Sequence, residues 1–412
     1  MWNSVAPWVP TGYGTQTKQA VQRLVAAGHD VAISANYGWQ GSVGAWGDIP
    51  VYPADHTGLQ KQTLKYHVNH WAAMNGWDPN SILTLTLFDV HTWINPRFGG
   101  ILANFHGLNQ TAWVPVDHQT LPVIVEGALK EYDVRQPIAM SRFGHERLLG
   151  AGFDALYVPH AIDCEVYSPK DKLASRPFIG VPEDRFVIGM VANNSGQTPP
   201  RKAFPQVMEA FKRFQSTHED AFLYLHTEMF GFYNDGLNLI RLAEWFDIPQ
   251  DAIGAVDQAA YSIGVPDEAM AHVYSAMDVL VNPSYGEGFG VPIVEAQACG
   301  VPVIVNDCTA MPELLGSGWM CDGELVYDPT QMAMWKQPSV ESLVDCFEQA
   351  YEARDDKQKG IDARLFALEY DADLVFEKYW TDALTVLDGP REVPALVPLN
   401  RAQRRAKKKA AA

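Results

Sequence analysis

From Asp278 to Val305 the chain reads as a strand (Asp278–Asn282), a glycine-rich loop, a short helix (Pro292–Cys299) and a second strand (Val301–Val305). The connecting string is SYGEGFGVPIVEAQACG. Pro292 suits the first helical turn, where a backbone N–H would go unused, and Gly300 suits the helix end. Strand, crossover helix, strand is the unit of a parallel sheet, and it excludes an all-helical or purely antiparallel design for this region. The alternation extends in both directions. Strand Phe186–Ala192 precedes helix Ala203–Phe214, and strand Ala221–His226 precedes helix Leu237–Phe246. Earlier, the loop Pro10–Gly14 opens a helix pattern from Thr15 to Ala27. Its residues Ala20, Val21, Leu24 and Val25 share a face, and Gly28 stops it. The segments Asp30–Ala35, Ser81–Leu87, Ala112–Val116, Pro137–Met140 and Ala155–Val158 read as further strands. Helices dominate after Val340, and the last runs from about Asp373 to Leu387.

With 412 residues, one ordinary core is too small for the chain, and two successive α/β halves facing across a cleft are the simplest architecture. The polar, proline-bearing stretch Asp163–Asp184 is the expected linker and hinge. That divides the chain into a first half of residues 1–165, a second of 166–370, and a tail of 388–412 expected to be disordered.

The net charge of −18 hides an asymmetry. Arg401, Arg404, Arg405, Lys407, Lys408 and Lys409 crowd into the last twelve residues, 401–412, which hold no acid, so the rest of the chain carries 25 basic against 49 acidic side chains. Such a body repels a phosphate backbone, which argues against broad nucleic-acid binding, although the tail could meet an acidic partner. No stretch approaches the ~18 apolar residues that span a bilayer. The opening residues lack the basic and apolar regions of a signal peptide. The five cysteines, Cys164, Cys299, Cys308, Cys321 and Cys346, are scattered and never form C-x-x-C. Reduced thiols, a cytoplasmic setting and no zinc site are the expectation.

The glycine loop before Pro292 brings backbone N–H groups and a positive dipole end toward an anion. Glu295, one turn into the helix, is placed to accept hydrogen bonds from a diol such as ribose. Glu287, eight positions earlier, could meet hydroxyls of a group beyond the phosphates. On spacing alone, two solvent-facing glutamates in a plain crossover fit equally well.

The longer string EGFGVPIVEAQACGVPVIVND resembles the donor-binding signature of the family-four retaining glycosyltransferases. TGYGTQTKQAVQRLVAAGHDV is similar to that family's opening glycine loop and helix, and MSRFGHERLLGAGFDALYVPHAID to its interdomain segment, with Ala161 in place of a glycine. The likeness covers roughly Trp8 to Pro329. PWVPTGYGTQT and WVPVDH look like forms common in phage-encoded and related microbial members; a phage-encoded protein would act in a host cytoplasm.

The resemblance implies a GT-B fold, two Rossmann-like domains with the final helix 373–387 returning to the first. It implies a retaining transfer of a sugar from a nucleotide-sugar co-substrate, with no other cofactor. Glu287 would contact the donor sugar and Glu295 the ribose. Gly288, Phe289 and Gly290 would present backbone donors, and Gly12 and Gly14 would face the diphosphate. Asn193 stands where the family has an arginine, but Arg201 and Lys202 stand together where its lysine belongs. Two cations there would neutralise charge growing on a departing nucleoside diphosphate. The family's first-domain histidine corresponds to WVPVDHQTLP, where Asp117 and His118 both qualify; His106 is a further candidate. The acceptor (protein, glycan, lipid or modified DNA) is not specified.

Competing readings are structural or belong to other activities. Asp371-Ala372-Asp373, the D-x-D string, precedes a helix and reads as a cap, so metal independence is the expectation. His67 and His70 have H-x-x-H spacing without a third ligand. Gly12-Tyr13-Gly14 lacks the third glycine of a nicotinamide-binding turn. A GT-B nucleotide-sugar epimerase and a non-catalytic sugar-nucleotide binder are the two alternatives to a transferase.

Overall fold

The computed structural model describes residues 1–55, 63–90, 105, 107–132, 134, 136–195, 200–232 and 235–388. His106 and the tail from residue 389 lie outside the described residues.

The strands of the first half are β1 (Trp2–Ser4), β2 (Ile33–Ala35), β3 (Gly44–Trp46), β4 (Ile49–Tyr52), β5 (Leu83–Leu87), β6 (Asn109–Val114), β7 (Ile138–Ala139) and β8 (Leu156–Tyr157). They form one sheet in the order β3-β4-β2-β1-β5-β6-β7-β8, parallel throughout except for β3 on β4. The strands of the second half are β9 (Phe186–Val191), β10 (Ala221–His226), β11 (Ile253–Ala255), β12 (Val279–Asn282), β13 (Val303–Asn306) and β14 (Gly318–Cys321). Their order is β11-β10-β9-β12-β13-β14, and every pairing is parallel. A hairpin, β15 (Gly323–Asp328) and β16 (Ala333–Pro338), stands apart from both sheets.

Numbered from its own first strand, the second sheet runs 3-2-1-4-5-6, the doubly wound order. The first sheet has the same centre, with strand order reversing between β1 and β5. Where the order reverses, adjacent crossovers leave to opposite faces and open a crevice at the carboxyl ends of the strands. Each half therefore has one switch point, β1/β5 in the first and β9/β12 in the second.

Four strand regions are invisible to the sequence patterns, the three-residue β11 among them. β1 is three residues long, and Asn3 and Ser4 are buried polar residues. Asn3 Nδ2 donates to Thr86 Oγ1 at 3.1 Å and Ser4 Oγ to the Leu87 carbonyl at 2.9 Å. These two donors are thus satisfied by β5, more than eighty residues away, while Asn3 Oδ1 is buried without a hydrogen-bond partner among the described residues. β3 and β4 make a hairpin around Gly47 at φ 58°. The fourth is the run β14 to β16.

The expected linker is folded. Asp171 caps a helix, Lys172–Ile179, by accepting from Ala174 N. Arg176 from that helix reaches Asp278 at 2.9 Å. Arg364 pins the preceding stretch through the carbonyls of Cys164 and Tyr167, at 2.8 and 2.6 Å. Polarity there serves caps and ion pairs as well as solvent. The chain crosses between halves twice, and the crossings pair: Ile162 N donates to Tyr370 O, and Ala372 N to Ile162 O. The final helix runs from Ala372 to Asp388 with a π-turn at Phe376–Trp380. It carries Trp380 onto Trp2 and Trp113 of the first sheet, at 5.9 and 5.0 Å between ring centroids.

Candidate functional site

The second switch point gathers a cation pair and a carboxylate. After β9 the chain reaches Arg201 and Lys202, turns at Ala203 (φ 60°), and enters the helix Phe204–Gln215. After β12 it reaches Glu287. Lys202 Nζ donates to Glu287 Oε1, and Arg201 Nη1 to Glu287 Oε2 at 3.2 Å and to Gly286 O at 2.6 Å. Burial alone would raise the Glu287 carboxyl, but Lys202 and Arg201 hold it down at about 2. Burial and the neighbouring Arg201 lower the Lys202 ammonium, although Glu287 pulls the other way. Asn193 is exposed, and its side chain donates to Ser195 Oγ at 3.3 Å.

Gly290 (φ 109°) begins the helix Val291–Ala298, and no side chain caps it. A positive φ there favours glycine. Phe289 is buried between His160 and Tyr370, so its side chain belongs to the core. A β-carbon on Gly288 would lie 2.6 Å from Pro115 Cβ, and one on Gly286 2.0 Å from Asp117 O. These two glycines let the loop touch the first half. Glu295 is buried one turn into the helix, where the Tyr274 hydroxyl donates to Oε2 at 2.6 Å. Burial raises its carboxyl to about 7.

The first switch point faces this cluster. After β1, Thr11 caps the helix Gly12–Ala26 by accepting from Gly14 N. Gly14 has no room for a side chain, since a β-carbon would sit 2.1 Å from Val9 O; Gly12 is open. Tyr13, between them, donates its hydroxyl to Asp89 Oδ1 at 3.0 Å, and Asp89 follows β5. Asp117, after β6, completes the cluster: Glu287, Asp117 and Asp89 all raise Arg201, and Asp89 and Asp117 raise Tyr13.

Asp117 and His118 part company. The His118 side chain is 1% exposed, with Nδ1 2.8 Å from Asp117 Oδ1 and Nε2 3.2 Å from Asp328 Oδ2. Its ring stacks on Trp335 at 4.5 Å. Both nitrogens are engaged, so the ring is not presented to the cleft in this conformation. Asp117 is the more open, at 29%. The other histidine candidates are also occupied. His67 Nδ1 meets Ser34 Oγ and His70 Nδ1 meets the Tyr52 hydroxyl, each at 3.0 Å. Asp371 caps its helix through the amides of Asp373 and Leu374. Among the described residues, no three His, Cys, Asp or Glu side chains are grouped to hold a metal ion, and no helix is long and apolar enough to cross a membrane. The five cysteines are free and buried.

Two strongly placed residues, Tyr13 and Asp89, escape sequence reasoning. The signal for Asp89 is an acid two residues beyond the strand LTLTL. Trp335 and Asp328 lie on the unforeseen hairpin and carry no such signal.

This second-half arrangement has known counterparts. Residues 187–335 match the family described as glycosyl transferases group 1. The matched segment is about a third of the chain. It holds the cation pair, both E-x7-E glutamates and β9 to β15. D-inositol 3-phosphate glycosyltransferase of Stackebrandtia nassauensis is 32% identical over 146 residues, 35% of this chain. The match spans about a third of that relative's length, 32%. Sucrose-phosphate synthase from Thermosynechococcus elongatus superposes with a TM-score of 0.69 at 16% identity, over 93% of this chain and 98% of that one. Anabaena HepE, solved with UDP, gives 0.62 at 14% identity over 93% and 99%. The fold around the group 1 region is GT-B, as the resemblance implied.

Proposed function

We propose that the chain is a retaining glycosyltransferase, moving a sugar from a nucleoside diphosphate sugar held by the second half to an acceptor entering over the first. The observation that carries this reading is the meeting of the two switch points, with Arg201, Lys202 and Glu287 on one side and Tyr13, Asp89 and Asp117 on the other. Breaking the anomeric C–O bond leaves negative charge on the nucleoside diphosphate and oxocarbenium character on the sugar. Arg201, Lys202 and the uncapped start of helix Val291–Ala298 supply fixed positive potential for the first. The carboxylates opposite supply negative potential for the second and acceptors for an incoming hydroxyl. The acceptor oxygen bonds to the anomeric carbon on the face the diphosphate leaves, and its proton departs with that group.

With two fixed cations at the diphosphate, the transfer proceeds without a metal ion. Glu295 takes the ribose hydroxyls, and the loop Gly286–Gly290 takes the diphosphate and sugar. UDP in the HepE structure makes UDP-sugars the first donors to test. The name of the Stackebrandtia nassauensis relative makes inositol 3-phosphate the first acceptor to test. The placement among phage-encoded members rests on PWVPTGYGTQT and WVPVDH alone.

The deciding experiment is mass spectrometry of products from a panel of nucleotide-sugars, with and without acceptors. Transfer, or slow donor hydrolysis without acceptor, supports the reading. Conversion of one sugar nucleotide into its epimer without acceptor makes the chain an epimerase, and binding without turnover makes it a binder.

A further inference from the structure

The hairpin β15–β16 belongs to the second half but grips the first. Its own anchors are firm. Lys336 N donates to Tyr285 O at 3.1 Å, Asn306 Nδ2 to Lys336 O at 2.6 Å, and the Trp335 ring packs edge-on against Tyr285. From this base it holds the loop after β6 at four points. Gln119 N donates to Met334 O at 2.8 Å, and Trp335 Nε1 to Asp117 O at 2.9 Å. Trp335 stacks on the His118 ring, 4.5 Å between centroids and 15° from parallel. Asp328 Oδ2 meets His118 Nε2, while Thr330 N donates to Asp328 Oδ1 at 2.8 Å and fixes that carboxylate. The far nitrogen of the same imidazole meets Asp117 Oδ1 at 2.8 Å.

We infer that Asp328, Trp335 and His118 form a strut across the cleft that aims the Asp117 carboxylate at the reacting centre. The inference rests on the glycosyl-transfer reading and deepens it. His118 is a positioning residue, because both its nitrogens are turned to carboxylates and its faces are covered. Asp117 is the group that meets the site, acting on Arg201, Lys202 and Tyr13. Its backbone is held by Trp335 and by the close approach of Gly286, and its side chain by His118. The backbone holds come from atoms of the second half, and His118, itself in the first half, is set by Asp328 and Trp335 of the second. The carboxylate is therefore aimed only when the halves meet, which ties hydroxyl recognition to the closed state. A bound donor without closure leaves Asp117 without its backbone holds and His118 without Asp328 and Trp335, an arrangement that limits wasteful hydrolysis.

The test uses the full chain, UDP as the binding probe, and the nucleotide-sugar found to be turned over. Asp328→Ala is expected to lower kcat about tenfold or more, as small misplacements of a positioned group do, with KM and UDP affinity within about twofold. Asp328→Asn, which keeps an oxygen to accept from Nε2–H, is expected to restore most of the rate. In an Asp117→Ala background the Asp328→Ala change is expected to add less than about twofold, because a residue acting through Asp117 has nothing left to aim. Hydrogen exchange at the Gln119 amide reads the strut without activity, and protection there is expected to fall in Asp328→Ala. Trp335→Phe, which keeps the stack and loses the Nε1–H bond, serves if Asp328→Ala does not fold. Equal losses with and without Asp117, or unchanged Gln119 protection, overturn the strut. A wild-type chain that turns over no nucleotide-sugar overturns the transferase reading instead; the exchange measurement still judges the strut's contacts, although Asp117 then has no reaction to serve.

Discussion

Tyr13 donates its hydroxyl to Asp89 at 3.0 Å, joining the two loops that flank the switch point of the first sheet. The pair faces Arg201, whose guanidinium Asp89 helps hold in its charged form. A carboxylate so placed on the acceptor side is expected to matter to turnover and not to nucleotide affinity. Asp89→Ala should lose roughly 10²-fold in kcat, the scale of a positioned polar group, and Tyr13→Phe less. Nucleotide-induced thermal stabilisation should persist in both. Normal turnover in Asp89→Ala would remove it from the site.

Donor grip is read separately. Lys202→Ala and Glu295→Ala should each weaken UDP binding by roughly 1.5–3 kcal/mol, the loss of a charge-assisted hydrogen bond. Isothermal calorimetry measures it directly. Lys202 carries the added consequence that Glu287 loses one of its two cations and keeps Arg201, so the loop Gly286–Gly290 should also lose order. Unchanged affinity in both variants would move the nucleotide elsewhere.

Much of the second half was legible because its strands are buried on both faces and so appear as apolar runs, Phe186–Val191 and Ala221–His226 among them. The helix Val291–Ala298 was legible through its proline and flanking glycines. β1 was not, because its buried Asn3 and Ser4 donate to β5, through non-local bonds no window can see. Arg201, Lys202 and Glu287 could be named from the family resemblance, and the structure brings them together. His118 could be named as well, but its engagement is set by Asp328, 210 residues on and part of a hairpin without periodicity of its own. Asp89 waited on the strand order, since only the reversal between β1 and β5 makes its loop a ligand-facing one.

The two glutamates of the E-x7-E loop should respond to pH in opposite ways. Glu287 is held at about 2 against an ordinary 4.5, so its contribution to stability is present above 4.5 and lost as pH falls through about 2. Glu295 is raised to about 7, so its contribution is present below 4.5 and lost as pH rises through about 7. Glu295→Gln, which can still accept from Tyr274, removes the second effect alone. Its melting temperature relative to wild type should therefore climb between about pH 5 and about pH 8, following proton linkage. A constant difference across that range would show that Glu295 does not titrate there.

The last prediction separates the D-x-D string from metal chemistry. Asp371 accepts from Asp373 N at 3.0 Å and Leu374 N at 3.5 Å, and its other oxygen accepts from Cys164 N at 3.3 Å. It thus caps the final helix and ties together the two chain crossings. Asp371→Ala should cost roughly 0.5–2 kcal/mol of stability, the usual worth of such a cap, and leave kcat nearly unchanged. If Arg201, Lys202 and a helix start carry the diphosphate charge, turnover should also survive EDTA. Denaturant melts of the variant and initial rates in chelator measure the two halves of the claim. A strict requirement for added Mg²⁺ or Mn²⁺ would overturn the charge argument. A rate loss in Asp371→Ala without a stability loss would return the D-x-D pair to the chemistry.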